Sequence, residues 1–191
     1  MNPDLAKNPH DNQTYQYKRA IRSSLKFFTQ RISPGTKNIL DIGQRSPLTD
    51  AMEDQFRVKI TNTIGDLDEF LFPENIGKFD VILYIHTIEH QFNPLGTLLE
   101  LEFYMNRDSV LYIALPRRGK LLWDRGHFHE IDHYRMQLLI ERAGMQIVEY
   151  QRIKHHRKWY SYFKGLRMFA RLFFEYDAYY TIKLRTNEKR V

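Results

Sequence analysis

The sequence has 191 residues and no cysteine, which fits one domain with a substantial core and excludes disulfides and thiolate metal sites, so any metal must be held by His, Asp or Glu. Its 29 Lys and Arg against 23 Asp and Glu give a formal charge of +6, a bias toward anionic partners that leaves phosphates, nucleic acid and lipid surfaces open. No apolar run is long enough to span a bilayer, and MNPDLAKNPHDNQTY lacks the basic-then-apolar order of a signal peptide, so the chain reads as cytoplasmic.

Residues 1–14 are polar and read as a frayed terminus. From Tyr15 to Ile32, Tyr17, Ile21, Leu25, Phe28 and Ile32 recur at helical spacing, and Ser33, Pro34 and Gly35 end the helix. Asn38 to Ile42 is a short apolar run closed by Gly43, a buried strand leading to a turn. Leu48 to Phe56 reads as a short helix and Arg57 to Thr63 as an alternating strand. Phe79 to Ile85 is apolar almost throughout, as in a strand buried on both faces of a parallel sheet.

Asn93 and Pro94 form a helix start, the Asn as cap and the Pro at the first helical position, and the helix is predicted to reach Met105. Val110 to Leu115 reads as another buried strand. The long loop from Arg117 to Glu130 carries His127 and His129, and its Arg117, Arg118 and Lys120 read either as a solvated basic loop or as a site for a phosphate or carboxylate on a substrate. Asp132 to Ala143 is a predicted helix closed by Gly144. Met145 to Ile153 and Asp177 to Leu184 read as strands separated by a basic, aromatic helix over 154–176. Strands and helices in alternation argue for a single α/β domain, 1–191, with a mostly parallel sheet.

At NILDIG, FDVILYIHTIEHQFNP, LYIALP and HEIDHYRMQLLIERAGMQIVEYQRI the chain resembles the class I S-adenosylmethionine-dependent methyltransferases, over roughly residues 37 to 153. It is most similar to the small bacterial branch in which the fourth strand ends in Glu-His followed by Asn-Pro or Asp-Pro. The resemblance implies a three-layer, Rossmann-like α/β fold whose seven-stranded sheet is mostly parallel with an antiparallel final strand. It also implies that S-adenosylmethionine lies across the carboxyl ends of the first strands.

Asp41 and Gly43 match the acid and first glycine of the family's cofactor turn, and Gln44 and Ser46 fall within it. The family's next two glycines are replaced by Arg45 and Pro47, side chains that would crowd a cofactor if they pointed toward it. Where the family has a ribose-binding carboxylate, this chain has Asn62, a neutral hydrogen-bonding substitute. GDLDEF resembles the segment near the adenine and nominates Asp66 and Leu67, and His86 completes the cofactor set. Between Gly43 and Phe79 the chain is too short for a full helix and third strand.

HTIEHQFNP, residues 86–94, admits three roles. Glu89 and His90 can serve the turn before the next helix. They can act in catalysis, with His90 removing a proton from the acceptor, supported by Glu89 and His129. Or they can hold a metal, as in relatives that use Glu, two spacers, Glu, His: here His86, Glu89 and His90, completed by His127 and His129 of the loop after LYIALP, form a mixed nitrogen and oxygen set suited to Zn, Mn or Fe. The same letters match an inverted zinc-protease signature, but that needs a helix, and a strand precedes them.

Trp159, Tyr162, Leu166, Phe169 and Phe173 form an apolar stripe among Lys158, Lys164, Arg167 and Arg171. Such a helix can line a substrate pocket, or lie on a membrane surface through residues 158–174. The expected activity is methyl transfer to an oxygen or nitrogen of a small or carrier-linked, anionic acceptor. A noncatalytic binding or scaffold protein is the alternative, and the side separating them is whether Arg45 fills the crevice.

Overall fold

The computed structural model describes residues 15–65, 68, 77–117, 127–154, 166, 169, 173 and 176–185. In chain order the elements are α1 (Tyr15–Thr29), β1 (Ile39–Asp41), α2 (Pro47–Phe56), β2 (Ile60–Asn62), β3 (Phe79–Ile85), α3 (Pro94–Phe103), β4 (Met105–Arg117), α4 (His133–Arg142), β5 (Met145–Ile153) and β6 (Tyr176–Leu184). A 3-10 turn at Ile88–His90 joins β3 to α3.

The strands form one sheet in the order β2-β1-β3-β4-β6-β5. β1 to β4 run parallel, and β6 is antiparallel to both β4 and β5. Alternate side chains leave the sheet on opposite faces, as the two-residue strand repeat requires. Leu40, Ile82, Tyr84, Leu111, Ile113 and Tyr180 pack with Leu98 and Leu101 of α3 and Met136 and Ile140 of α4. Ile39, Val81, Leu83, Tyr112, Ala114 and Tyr179 pack with Phe27 and Phe28 of α1 and Met52 of α2. The result is the expected three-layer α/β arrangement with an antiparallel final strand.

Several boundaries differ from the sequence expectation for local reasons. The predicted strand from Arg57 to Thr63 contracts to Ile60–Asn62, because Arg57 caps α2 in the left-handed region at φ 53°. The helix predicted to reach Met105 ends at Phe103, and Met105 instead opens β4, opposite Phe79. Gly144 closes α4 as expected, at φ 75°. Six strands replace the seven implied by the resemblance, among the described residues. Most of the segment between β2 and β3 lies outside them, as does most of the predicted 154–176 helix.

β1 connects outward to β2 on one side, while β3 sits on its other side. The loops leaving their carboxyl ends therefore part to opposite faces and open a crevice between them, the usual ligand position in such sheets.

Candidate functional site

The crevice begins with Asp41, the last residue of β1, whose side chain is on the α2 face and buried. Its carboxylate accepts hydrogen bonds from Thr49 Oγ1 at 2.6 Å and Asn62 Nδ2 at 3.3 Å. Asn62 Nδ2 also donates to Gly43 O at 3.2 Å, so the residue expected near the ribose ties β2 to the turn after β1. Gly43 has φ 114°, a conformation that glycine adopts freely and side chains resist. Thr63 Oγ1 accepts from Gly43 N–H at 2.8 Å, and Thr87 Oγ1 donates to Ile42 O at 3.2 Å. Both threonines hold the turn open from the flanking strands.

The two replaced glycines have structural explanations. Pro47 occupies the first turn of α2, and Ser46 caps that helix through Thr49 N–H at 3.2 Å. Arg45 turns back along α2, where its Nε donates to Asp50 at 2.7 Å and its terminal nitrogens pair with Glu53. Asp50 and Glu53 thus draw the bulky side chain along the helix and away from Gly43. Gln44 is exposed, and Asp66 and Leu67 lie outside the described residues. Asp68, two residues further, is a neighbour that sequence reading missed; its carboxylate accepts from Phe92 N–H at 2.8 Å and Asn93 N–H at 3.1 Å, fixing the entry to α3.

Burial raises the Asp41 carboxyl from 3.8 to about 6, against the opposing hydrogen bonds from Thr49 and Asn62. The folded chain therefore binds this proton more tightly than the unfolded one, and stability falls as pH rises from about 4 to about 6. At about 1.4 kcal/mol per pKa unit the buried charge costs up to about 3 kcal/mol above that window. Asp41→Asn, which keeps an acceptor for Thr49, is expected to gain about 1–3 kcal/mol over the wild type at pH 8 and to lose most of that gain at pH 4.5. Urea unfolding at both pH values checks this, and a pH-independent difference would contradict it.

The second wall comes from the end of β3. His86 has φ 51°, a left-handed conformation that costs a non-glycine residue about 1–3 kcal/mol unless its surroundings impose it. They do: His86 N–H donates to Ala114 O at 2.7 Å, and its ring lies between Asp177 Oδ2, 3.3 Å from Nε2, and Glu89 Oε1, 3.7 Å from Nδ1. Burial opposes a charge on the ring, but Asp177 and Glu89 outweigh it and push His86 up to about 10. The ring is thus paired with two acids and, among the described residues, is not part of the converging group of candidate ligands described next.

Glu89 is buried in the 3-10 turn, and its backbone carbonyl accepts from Phe128 N–H at 2.9 Å and His129 N–H at 3.3 Å. These bonds bring the loop after β4 onto the Glu-His turn. They carry His127, not His129, to the cluster: the ligand atoms of Glu89, His90 and His127 all lie within 4.8 Å of one another. The His90 and His127 rings meet edge to face at 4.9 Å. Among the described residues, the buried Glu89 Oε2 has no hydrogen-bond partner. His129 instead points its Nε2 to Phe92 O at 3.3 Å.

Of the residues expected from sequence, Asp41, Gly43 and Asn62 meet around one turn, and His86, Glu89 and His90 around the next. Asp177 was not anticipated, since nothing in its sequence position marks it; the antiparallel pairing of β6 places it opposite Pro116, at the carboxyl end of β4.

No family model and no curated protein matches the sequence. Among solved structures the chain is similar to the Haloferax volcanii complex between the Trm112 methyltransferase activator and a methyltransferase, at 12% identity over 91% of this chain and 93% of that one, with a TM-score of 0.66. It is similar to the plantazolicin methyltransferase BpumL in complex with SAH, at 16% identity over 97% of this chain and 92% of that one, with a TM-score of 0.60. It is also similar to the [4+2]-cyclase SpnF, at 11% identity over 88% and 82%, with a TM-score of 0.56. One fold thus hosts different reactions, and the reaction must be argued from the site. By sheet order, by the crevice between β1 and β3 and by these similarities, the chain has the class I S-adenosylmethionine-dependent methyltransferase fold.

Proposed function

We propose that the chain is a single-domain enzyme that transfers a methyl group from S-adenosylmethionine to an oxygen or nitrogen of a small or carrier-linked acceptor. The observation that carries this reading is the path of the turn after β1: Gly43 keeps a bare backbone toward the crevice, and Arg45 is held on α2 by Asp50 and Glu53. A scaffold with a blocked crevice would need Arg45 in the opposite direction. Asp41 adds a buried negative charge facing a cofactor that carries a sulfonium and an ammonium group. Gln44, Ser46, Asn62, Asp66, Leu67 and His86 complete the cofactor set under this reading.

The bound cofactor would supply an electrophilic methyl carbon whose bond to sulfur breaks, with its electrons going to sulfur, as an acceptor lone pair attacks, and the protein would have to remove the acceptor's proton. Bound across these strand ends the cofactor would supply the methyl group, and an acceptor held in line with it would gain much of the barrier reduction from orientation. His90, half-buried beside Glu89, is the group that takes the proton. Its ring is oriented by the edge-to-face contact with His127, and His86 neutralises the nearby carboxylates of Glu89 and Asp177.

Glu89, His90 and His127 also fit a divalent metal. Two imidazoles and a carboxylate form a donor set used for Zn, Mn and Fe, and the buried Glu89 Oε2, without a hydrogen-bond partner among the described residues, is an oxygen that a cation would satisfy. Such an ion would supply Lewis acidity that lowers the pKa of a coordinated acceptor hydroxyl. His90 would then be a ligand, and proton removal would pass to solvent or another base.

Calorimetric titration with S-adenosylmethionine and S-adenosylhomocysteine, with and without Mn or Zn, tests both parts. Micromolar binding of either supports the cofactor site. Metal binding lost in Glu89→Gln and in His127→Ala supports the metal reading, whereas metal binding unchanged in both variants removes it. No heat with either cofactor, confirmed by an unshifted melting temperature, would overturn the enzyme reading.

A further inference from the structure

Ile153 at the end of β5 pairs with Asp177 near the start of β6. The chain between them therefore leaves and re-enters the sheet beside the His86 and Asp177 pair, at the edge that carries the candidate site. Within it Leu166, Phe169 and Phe173 are helical and expose 86%, 44% and 56% of their surface. The Phe169 and Phe173 rings are 5.5 Å apart. On the helix that the sequence predicts over 154–176, spacings of three and four residues would put these side chains on one stripe. A second apolar pair stands close to the cluster: the exposed rings of Phe92 and Phe128, 4.0 Å apart, on the turn after His90 and the residue after His127.

Charge identifies what would cover this surface. From Tyr150 to Phe174 the sequence has seven Lys and Arg and no Asp or Glu. A second copy of the chain would bring like charges together across a symmetric interface. Nucleic acid would use the cations and could stack on the rings, but would gain little from Leu166, the most exposed side chain of the three. An anionic lipid surface uses all three features, with cations at the headgroups and Leu and Phe at the acyl boundary.

We propose that the helix bearing Leu166, Phe169 and Phe173 docks on the surface of an anionic bilayer, turning the mouth of the crevice toward the lipid. This docking does not rest on methyl transfer and can be tested without an acceptor.

The experiment is co-sedimentation of the full chain with vesicles of phosphatidylcholine alone, and with about 30 mol% phosphatidylserine, where partitioning is expected to be at least about tenfold higher. It should fall when salt is raised to about 0.5 M. Phe169→Ser with Phe173→Ser should lose about tenfold, with an unchanged melting temperature because both side chains are exposed. Leu166→Ser provides a second variant at a position too exposed to disturb folding, and it should also weaken binding. Equal partitioning to both vesicles, or full binding by the serine variants, would overturn the proposal. So would a short single-stranded RNA that displaces the vesicles and binds the serine variants as tightly as the wild type.

Discussion

Gly43→Val is expected to weaken binding of S-adenosylmethionine and S-adenosylhomocysteine by more than about a hundredfold while leaving a cooperative melting transition. The reason is the backbone rather than a simple clash. A Cβ at Gly43 would lie 3.4 Å from Thr87 Oγ1, an ordinary contact, but φ is 114°, where a β-branched residue is strongly disfavoured. The turn must rotate, moving the Gly43 N–H away from Thr63 and the carbonyl away from Asn62. Strain of about 1–3 kcal/mol is a fraction of a typical domain stability of about 5–15 kcal/mol, so the fold survives while the crevice does not. Arg45→Ala is the contrasting variant. It removes the ion pairs to Asp50 and Glu53 from the surface of α2 and is expected to leave cofactor affinity unchanged. Unchanged affinity in Gly43→Val, or a large loss in Arg45→Ala, would place the cofactor elsewhere.

The second large effect is at the Glu-His turn. His90→Ala is expected to lower turnover on an identified acceptor by about 10²–10⁴-fold, with affinity for S-adenosylhomocysteine changed by less than about threefold. The split follows from position: His90 is on the 3-10 turn after β3, beyond the turn formed by Asp41 and Gly43. His127→Ala separates the two chemical roles of the cluster. If His90 acts as a base, His127 only orients its ring and its loss costs about tenfold or less. If the three residues hold a metal, losing His127 costs as much as losing His90, and added metal partly restores activity in the variant. Intact turnover in His90→Ala would leave the Glu-His pair as a turn that seats α3.

Much of the architecture was readable because the strands at the centre of the sheet are apolar on both faces. Phe79 to Ile85 can be little else, and Asn93, Asp132 and Gly144 state where helices begin and end through caps whose geometry is local. β2 was overestimated because the alternation of Arg57 to Thr63 resembles a strand, whereas Arg57 serves α2. β4 was underestimated because its first residues, Asn106 to Asp108, are polar, and only the pairing of Met105 with Phe79 makes them part of the strand.

The site was readable only where its residues are adjacent in sequence. Asp41 and Gly43, and His86, Glu89 and His90, each lie on a single strand end. The direction of Arg45 depends on Asp50 and Glu53, five and eight residues away in sequence, at spacings that only a helix beginning at Pro47 brings to one side. The choice of His127 over His129 depends on the backbone bonds from Phe128 and His129 to the Glu89 carbonyl. Asp177 enters through the antiparallel register of β6, which local patterning cannot supply.

The central claim is that the crevice between β1 and β3 holds the cofactor, and hydrogen exchange with and without saturating S-adenosylhomocysteine tests it directly. The predicted result is slowed exchange in peptides covering Asp41 to Ser46 and Ile85 to His90, with little change in β5. Binding that leaves both segments unprotected, or protects only residues remote from them, would contradict it.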